Sequence, residues 1–380
     1  MENFSIFNPT KLFFGKDVVL KLGKNVSKKS KNVLIVYGKG SIENNGILDT
    51  VKTQLNSEGI NFVIYKGIKS NPIIEDVDGA ISVGVENMVD GIVAIGGGSV
   101  IDSAKIIALG IAEKAKGWDI MKFIVTPKSV IPLYAVLTLA ATGTEMNSFA
   151  VVQNHKTGEK IGYASPLINP LESYLDPSYT YSVPADYTSY GIADIIAHCL
   201  EAFFGQGECD LTDMFTASII KNVMEVAPKL LNDLTNYDYR AQIMYAATMG
   251  LNGTTSFGKI SADWGVHALG HDLSLLYDTP HGASLAIAYP AWLKVKKEEV
   301  TDRIARLGEL VFGTNDINIT IQKFEEFFVS IKCPVRLSEI NVTESNRQEY
   351  ISSLIKNKAS GYNILINEEE YNLLFETMLK

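Results

Sequence analysis

GIVAIGGGSVIDSAK, residues 91–105, decides the fold. Gly91–Ile95 is small or β-branched and apolar, the composition of a strand covered on both faces. Gly96–Ser99 (GGGS) follows, and a helical pattern opens at once, with Asp102 and Lys105 in its first turns. Strand, glycine loop and helix in immediate succession form one half of a βαβ unit. Glycines let the backbone approach a ligand closely, and the free N–H groups of a helix start favour an anion. A pyrophosphate fits that description, although a tight βα turn with no ligand fits it as well. The loop is not GxGxxG, so the usual dinucleotide fingerprint is absent.

The same alternation extends outward. Val33–Tyr37 (VLIVY) is a strand that meets Gly38–Ser41 (GKGS), and a helical pattern then runs to about Leu55. Phe62–Tyr65 is a second strand, Asn71-Pro72 opens another helix, and Tyr134–Leu139 (YAVLTL) is a further apolar strand. This order predicts a doubly wound, mostly parallel sheet with helices on both faces and ligands at the carboxyl ends of the strands. Phe149–Ala164 reads as a hairpin turning at His155–Gly158, and Leu171–Asp176 as one more strand. From Pro184 onward only helices are expected: 184–204, 211–231, 239–251, 263–276 and 282–297. The predicted organisation is an α/β dinucleotide-binding domain over 1–182 and an all-helical, metal-binding domain over 183–380.

Bulk properties narrow the function. The chain has 380 residues, 46% hydrophobic and 20% charged, with a net charge of −9. An acidic chain with no basic run is a poor partner for nucleic acid or anionic membranes. The three cysteines form no CxxC and no regular framework, which points to a reducing compartment. The amino terminus lacks the pattern of a signal peptide. The longest nearly apolar run, 130–141, is short of the roughly 20 residues that cross a bilayer. A cytoplasmic protein is expected, and a homodimer is the commonest assembly for such an enzyme.

Gly38–Ser41 stands after the first clear strand, where a doubly wound domain places the adenosine end of a dinucleotide. An acidic residue there would hold a ribose 2′-hydroxyl and repel a 2′-phosphate. Two glycines, a lysine and a serine tolerate a phosphate, so NADP(H) is favoured over NAD(H), with nearby Glu43 as the counterweight.

The helical half holds most of the histidines. Of five, His155 lies in a polar turn. His198 (GIADIIAHCLEAF), His267 and His271 (DWGVHALGHDLS) and His281 (TPHGASLAIAYP) lie in apolar helical contexts. Asp194 precedes His198 by four residues, so both share a helix face. Burying that carboxylate is costly unless a histidine, a basic residue or a metal pairs with it. Asp194, His198, His267 and His281 form an N/O donor set suited to Fe²⁺, Zn²⁺ or another divalent ion, and core histidines with one hydrogen bond each are the competing reading.

The sequence resembles the iron-containing (group III) alcohol dehydrogenases, most nearly their butanol dehydrogenase branch. The motifs that carry this are FNPTKLFFGK, YGKGS, SNP at 70–72, AIGGGSVIDSAK, LTLAATGTEMN, LDPSYTYSVP, GIADIIAHCLE, WGVHALGHDL and HGASLAIAYPAW. The match is loose after about Asn341. The resemblance implies a dehydroquinate synthase-like architecture and a metal held by Asp194, His198, His267 and His281. It implies a dinucleotide with Gly97, Gly98 and Ser99 on the pyrophosphate and Gly38, Gly40, Ser41 and Asn71 toward the adenosine. It further implies that Asp102, Thr138, Thr142, Asn147 and Lys160 line the same cofactor site, as their counterparts do in similar proteins, with Tyr179 matching a contact position less closely.

The expected chemistry is reduction of a short-chain aldehyde of the butanal type by NAD(P)H. The metal, iron before zinc, acts as Lewis acid, and Phe149 and Trp264 form apolar pocket walls. His271, one turn from His267, is the candidate for proton transfer or nicotinamide positioning, against a reading as a core histidine. Dehydroquinate synthase-like or polyol-phosphate chemistry on the same fold would need cations around the metal. Lys221, Lys229, Arg240 and Lys259 lie outside the ligand motifs. A metallohydrolase would leave the glycine loops without a task, and a non-catalytic assembly protein would leave four ligands without one.

Overall fold

A computed structural model describes residues 1–380. Its strands are β1 (Lys11–Phe14), β2 (Asn32–Tyr37), β3 (Asn61–Lys66), β4 (Gly91–Gly96), β5 (Leu133–Leu137), β6 (Phe149–Asn154), β7 (Glu159–Ala164) and β8 (Glu172–Leu175). Six form one sheet in the order β1-β8-β5-β4-β2-β3, and every pairing in it is parallel. β6 and β7 pair antiparallel as the expected hairpin, turned where Asn154 Oδ1 accepts from Lys156 N at 3.0 Å.

The pleat sorts the buried side chains onto two faces. Val33, Ile35 and Tyr37 of β2 join one core cluster with Val93, Ile95, Tyr134 and Val136. Leu34 and Val36 point the other way, into a cluster with Ile92, Ala94 and the helix Gly98–Glu113. Each fully buried Val, Leu or Ile contributes about 1.5–3 kcal/mol, which offsets the 1–2 kcal/mol cost of ordering each residue's backbone. Continuous apolar runs therefore become central strands here.

The strand order locates a topological switch. From β2 the chain moves to β3 on one side, and from β4 it moves to β5 on the other, while β2 and β4 are direct neighbours. The loops after β2 and β4, Gly38–Ser41 and Gly97–Ser99, thus flank the crevice where open α/β sheets bind ligands.

The α/β unit comprises Phe7–Val183 together with Thr235–Met244. The helical unit comprises Met1–Ile6, Pro184–Leu234 and Tyr245–Lys380. Two short segments therefore group across the boundary drawn at residue 182. Three helices of the helical unit matter below: Ala185–Phe203, Gly265–Tyr277 and His281–Lys296. No helix of the chain is long and apolar enough to cross a membrane.

Candidate functional site

In the helical unit, three helices bring one acid and three imidazoles together. Asp194 and His198 lie on Ala185–Phe203, His267 on Gly265–Tyr277, and His281 opens His281–Lys296. From Asp194 Oδ1, His198 Nδ1 is 3.7 Å away, His267 Nε2 3.9 Å and His281 Nε2 3.6 Å. Donors that each sit about 2.1 Å from a tetrahedral ion lie about 3.4 Å apart, so the spacing is slightly open but of the right scale. Asp194, His267 and His281 each present a ligand atom within 4.8 Å of the other two. His198 is not one of that triplet, but its ring centroid is 4.8 Å from that of His267.

Burial sharpens the point. Asp194 is 2% exposed, and His198 and His267 are each 5% exposed. His198 Nδ1 and His267 Nε2 are buried with no hydrogen-bond partner in the protein. An unpaired buried lone pair costs about 1–3 kcal/mol, and a cation at the focus of these atoms would remove that cost. Burial, then neighbouring His267, hold His198 well below its ordinary pKa, so it is a neutral donor. The residues present fit a divalent metal.

Close helix packing makes the cluster possible. A Cβ on Gly282 would stand 1.9 Å from the Tyr190 carbonyl oxygen, so only glycine lets the start of the His281 helix reach the Asp194 helix. His271 lies one turn beyond His267, its ring centroid 5.5 Å from that of His281. Trp264 borders the cluster edge-on, with centroids 5.1 Å from His267 and 6.2 Å from His198.

Glu201 ends the GIADIIAHCLE motif without an assigned role, yet it is 1% exposed and its Oε1 lies 2.8 Å from His267 Nδ1. The signal was present in the sequence. Asp194, His198 and Glu201 recur at i, i+4 and i+7, a polar stripe on an otherwise apolar helix.

In the α/β unit the other expected residues gather at the carboxyl ends of the strands. Gly38, Gly40 and Ser41 follow β2, Asn71 follows β3, and Gly97, Gly98 and Ser99 follow β4. Thr138, Thr142 and Asn147 follow β5, and Tyr179 lies in the turn after β8. A Cβ on Gly98 would lie 2.6 Å from Thr142 Cγ2, so the loops after β4 and β5 abut only because that residue is glycine. Burial pushes the Tyr179 hydroxyl up to about 12.

Several of these side chains are engaged within the unit itself. Asp102 accepts from Thr144 Oγ1 at 2.6 Å and Val151 N at 2.9 Å, and burial raises its carboxyl pKa against the pull of Lys105. Lys160 Nζ donates to Asn71 Oδ1 at 2.9 Å. Asn147 Nδ2 donates to Gly143 O at 3.0 Å, while its Oδ1 accepts from Lys105 Nζ and Phe149 N, each at 3.0 Å. Near Gly40, Glu43 accepts from the Tyr37 hydroxyl and from Lys66, both at 2.7 Å. The Lys66 contact, then Tyr37, holds the Glu43 carboxyl below its usual range.

A parallel sheet with glycine loops at its switch point, and a helical unit with an Asp/His₃ cluster, define a class that comparison identifies. Residues 9–177 match the family described as iron-containing alcohol dehydrogenase, and residues 188–375 match the Fe-containing alcohol dehydrogenase family, C-terminal. The chain belongs to the iron-containing alcohol dehydrogenases and is an oxidoreductase of that class. It is 38% identical to the probable NADH-dependent butanol dehydrogenase 1 of Bacillus subtilis, over 97% of this chain and 98% of that protein. It is 34% identical to an NADPH-dependent aldehyde reductase of Escherichia coli, over 91% of each. The crystal structure of NADH-dependent butanol dehydrogenase A from Thermotoga maritima superposes with a TM-score of 0.97 at 32% identity, covering 100% of this chain and 99% of that one.

Proposed function

We propose that the chain interconverts short-chain aldehydes and primary alcohols at a divalent metal held by Asp194, His198, His267 and His281, with iron as the ion and zinc as its substitute. The observation that carries this is the convergence of three imidazole nitrogens within 3.6–3.9 Å of one buried carboxylate oxygen. When bound, the metal supplies Lewis acidity to the carbonyl oxygen and the reduced nicotinamide supplies the hydride. The chain supplies the remainder. Asp194 offsets the positive charge, and the neutral imidazoles fix its place. Gly97, Gly98 and Ser99 offer main-chain N–H groups to the pyrophosphate at a helix start. His271 delivers the proton or positions the nicotinamide.

For the cofactor, two observations pull apart. The composition of Gly38–Ser41 favours NADPH. Glu43 favours NADH, because its Oε2 would be 2.8 Å from a Cβ on Gly40, at the carboxyl end of β2 where the adenosine ribose is read. Several relatives between 34% and 40% identical are named NADH-dependent. We read NADH as preferred, because the carboxylate is fixed in place by Tyr37 and Lys66 while Lys39 is free to turn away into solvent.

Apolar Trp264 beside the cluster supports a short aliphatic substrate of the butanal type. Two of the lysines that a phosphorylated substrate could call on are committed elsewhere. Lys259 pairs with Asp213 at 2.7 Å, and Lys229 pairs with Glu225 at 2.8 Å. The three cysteines are free and buried, which supports a reducing, cytoplasmic setting, and a homodimer completes the reading. Steady-state rates with butanal, glyceraldehyde and glyceraldehyde 3-phosphate test the substrate assignment. Butanal should give the highest kcat/KM, and a phosphorylated aldehyde turned over faster would move the reading to polyol-phosphate chemistry.

A further inference from the structure

Glu201 lies two turns beyond Asp194 on the same helix, and two main-chain N–H groups and one imidazole nitrogen converge on its carboxylate. Oε2 accepts from Trp264 N at 2.6 Å, and Oε1 accepts from His267 N at 2.9 Å and faces His267 Nδ1 at 2.8 Å. A neutral imidazole carries one proton, and a carboxylate beside Nδ1 places it there. Nε2 is then left as a lone pair, and this is the buried atom 3.9 Å from Asp194 Oδ1 that has no hydrogen-bond partner.

The same carboxylate fixes where the ring stands. Trp264 begins the helix Gly265–Tyr277 at φ 67, in the left-handed region, and provides no capping side chain. That conformation is costly for a bulky residue and persists only when its surroundings impose it. Glu201 takes the cap's role by accepting from Trp264 N and from His267 N three residues on. Asp263 Oδ2 satisfies only Gly265 N of that helix start, at 3.2 Å, and its Oδ1 accepts from Asn363 and Ile364 N, so Trp264 N and His267 N are left to Glu201.

We propose that Glu201 is the positioning residue of the metal site, holding His267 as the Nδ1–H tautomer so that Nε2 is a fixed donor to the ion. The proposal rests on the metal reading above. Zn²⁺ titration against a competing chelator, on metal-stripped wild type, E201Q, H267A and the double variant, tests it. E201Q should weaken Zn²⁺ binding roughly 10- to 100-fold. In the H267A background the same change should cost almost nothing, because its effect runs through that ring. Binding by E201Q within twofold of wild type, or equal losses in both backgrounds, would overturn the proposal. Wild type that fails to bind Zn²⁺ would overturn the metal reading instead. If E201Q does not fold, the ¹⁵N shifts of the His267 ring in wild type decide. A proton on Nδ1 supports the proposal, and a proton on Nε2 contradicts it.

Discussion

The Lys105 ammonium donates to both oxygens of Asn147, at 2.9 Å to the main chain and 3.0 Å to the side chain, and to Phe149 O at 2.7 Å. One buried cation thus ties the helix after the glycine loop to the segment after β5. Replacing it with methionine strips the donor from three acceptors and should cost on the order of 3 kcal/mol. K105M is expected to melt several degrees lower and to bind the dinucleotide more weakly, as read by thermal unfolding and by fluorescence titration with NADH.

Lys105 also predicts a pH dependence. Burial lowers its pKa from 10.5 to about 8, against the pull of Asp102 and Glu145. Between those values the unfolded chain binds more protons than the native one, so this group makes stability rise with pH across that window. Below about pH 8 the penalty of burying the cation is present in full. Denaturant unfolding of wild type and K105M at intervals across the window should show a rising difference between them. A flat difference would mean that Lys105 keeps an ordinary pKa.

Gly282 is the packing condition for the Asp/His₃ cluster. A Cβ there would stand 1.9 Å from a main-chain oxygen, which cannot yield as a flexible side chain can. G282A should displace the start of the His281 helix and cost about 1–3 kcal/mol or more. Metal content measured after purification should fall with it, while the α/β unit still binds dinucleotide.

At Glu43 the expected change is one of cofactor choice. E43Q removes the charge that favours a ribose hydroxyl and repels a phosphate, and should shift the ratio of kcat/KM for NADH over NADPH about tenfold toward NADPH. An unchanged ratio would leave the Gly38–Ser41 loop as the discriminator.

His271 faces the cluster from the turn after His267. H271N should lower kcat on the order of 10²-fold while metal content holds, and should alter the pH profile of kcat. Loss of metal together with activity would make it a structural support of the site.

Much of the fold is readable from the sequence, for a physical reason. Strands such as Val33–Tyr37 and Gly91–Ile95 are covered on both faces, so their composition alone marks them. Histidines in apolar helices stand out because burial of such rings demands a purpose. β1 was not legible, because KLFF is short and half-exposed and gains its identity only by pairing with β8, far along the chain. Glu201 and Lys105 read as ordinary helical residues until the fold brings their partners to them. The grouping of Thr235–Met244 with the α/β unit leaves no local mark in the sequence.

The most direct test of the central claim is NADH oxidation with butanal by protein purified anaerobically, stripped with a chelator, and assayed as apo, Fe²⁺-loaded and Zn²⁺-loaded samples. The account predicts no turnover in the apo sample, restored turnover with Fe²⁺, and none in D194N under the same loading. Equal turnover in apo and loaded samples, or an active D194N, would contradict a reaction carried by the Asp194 cluster.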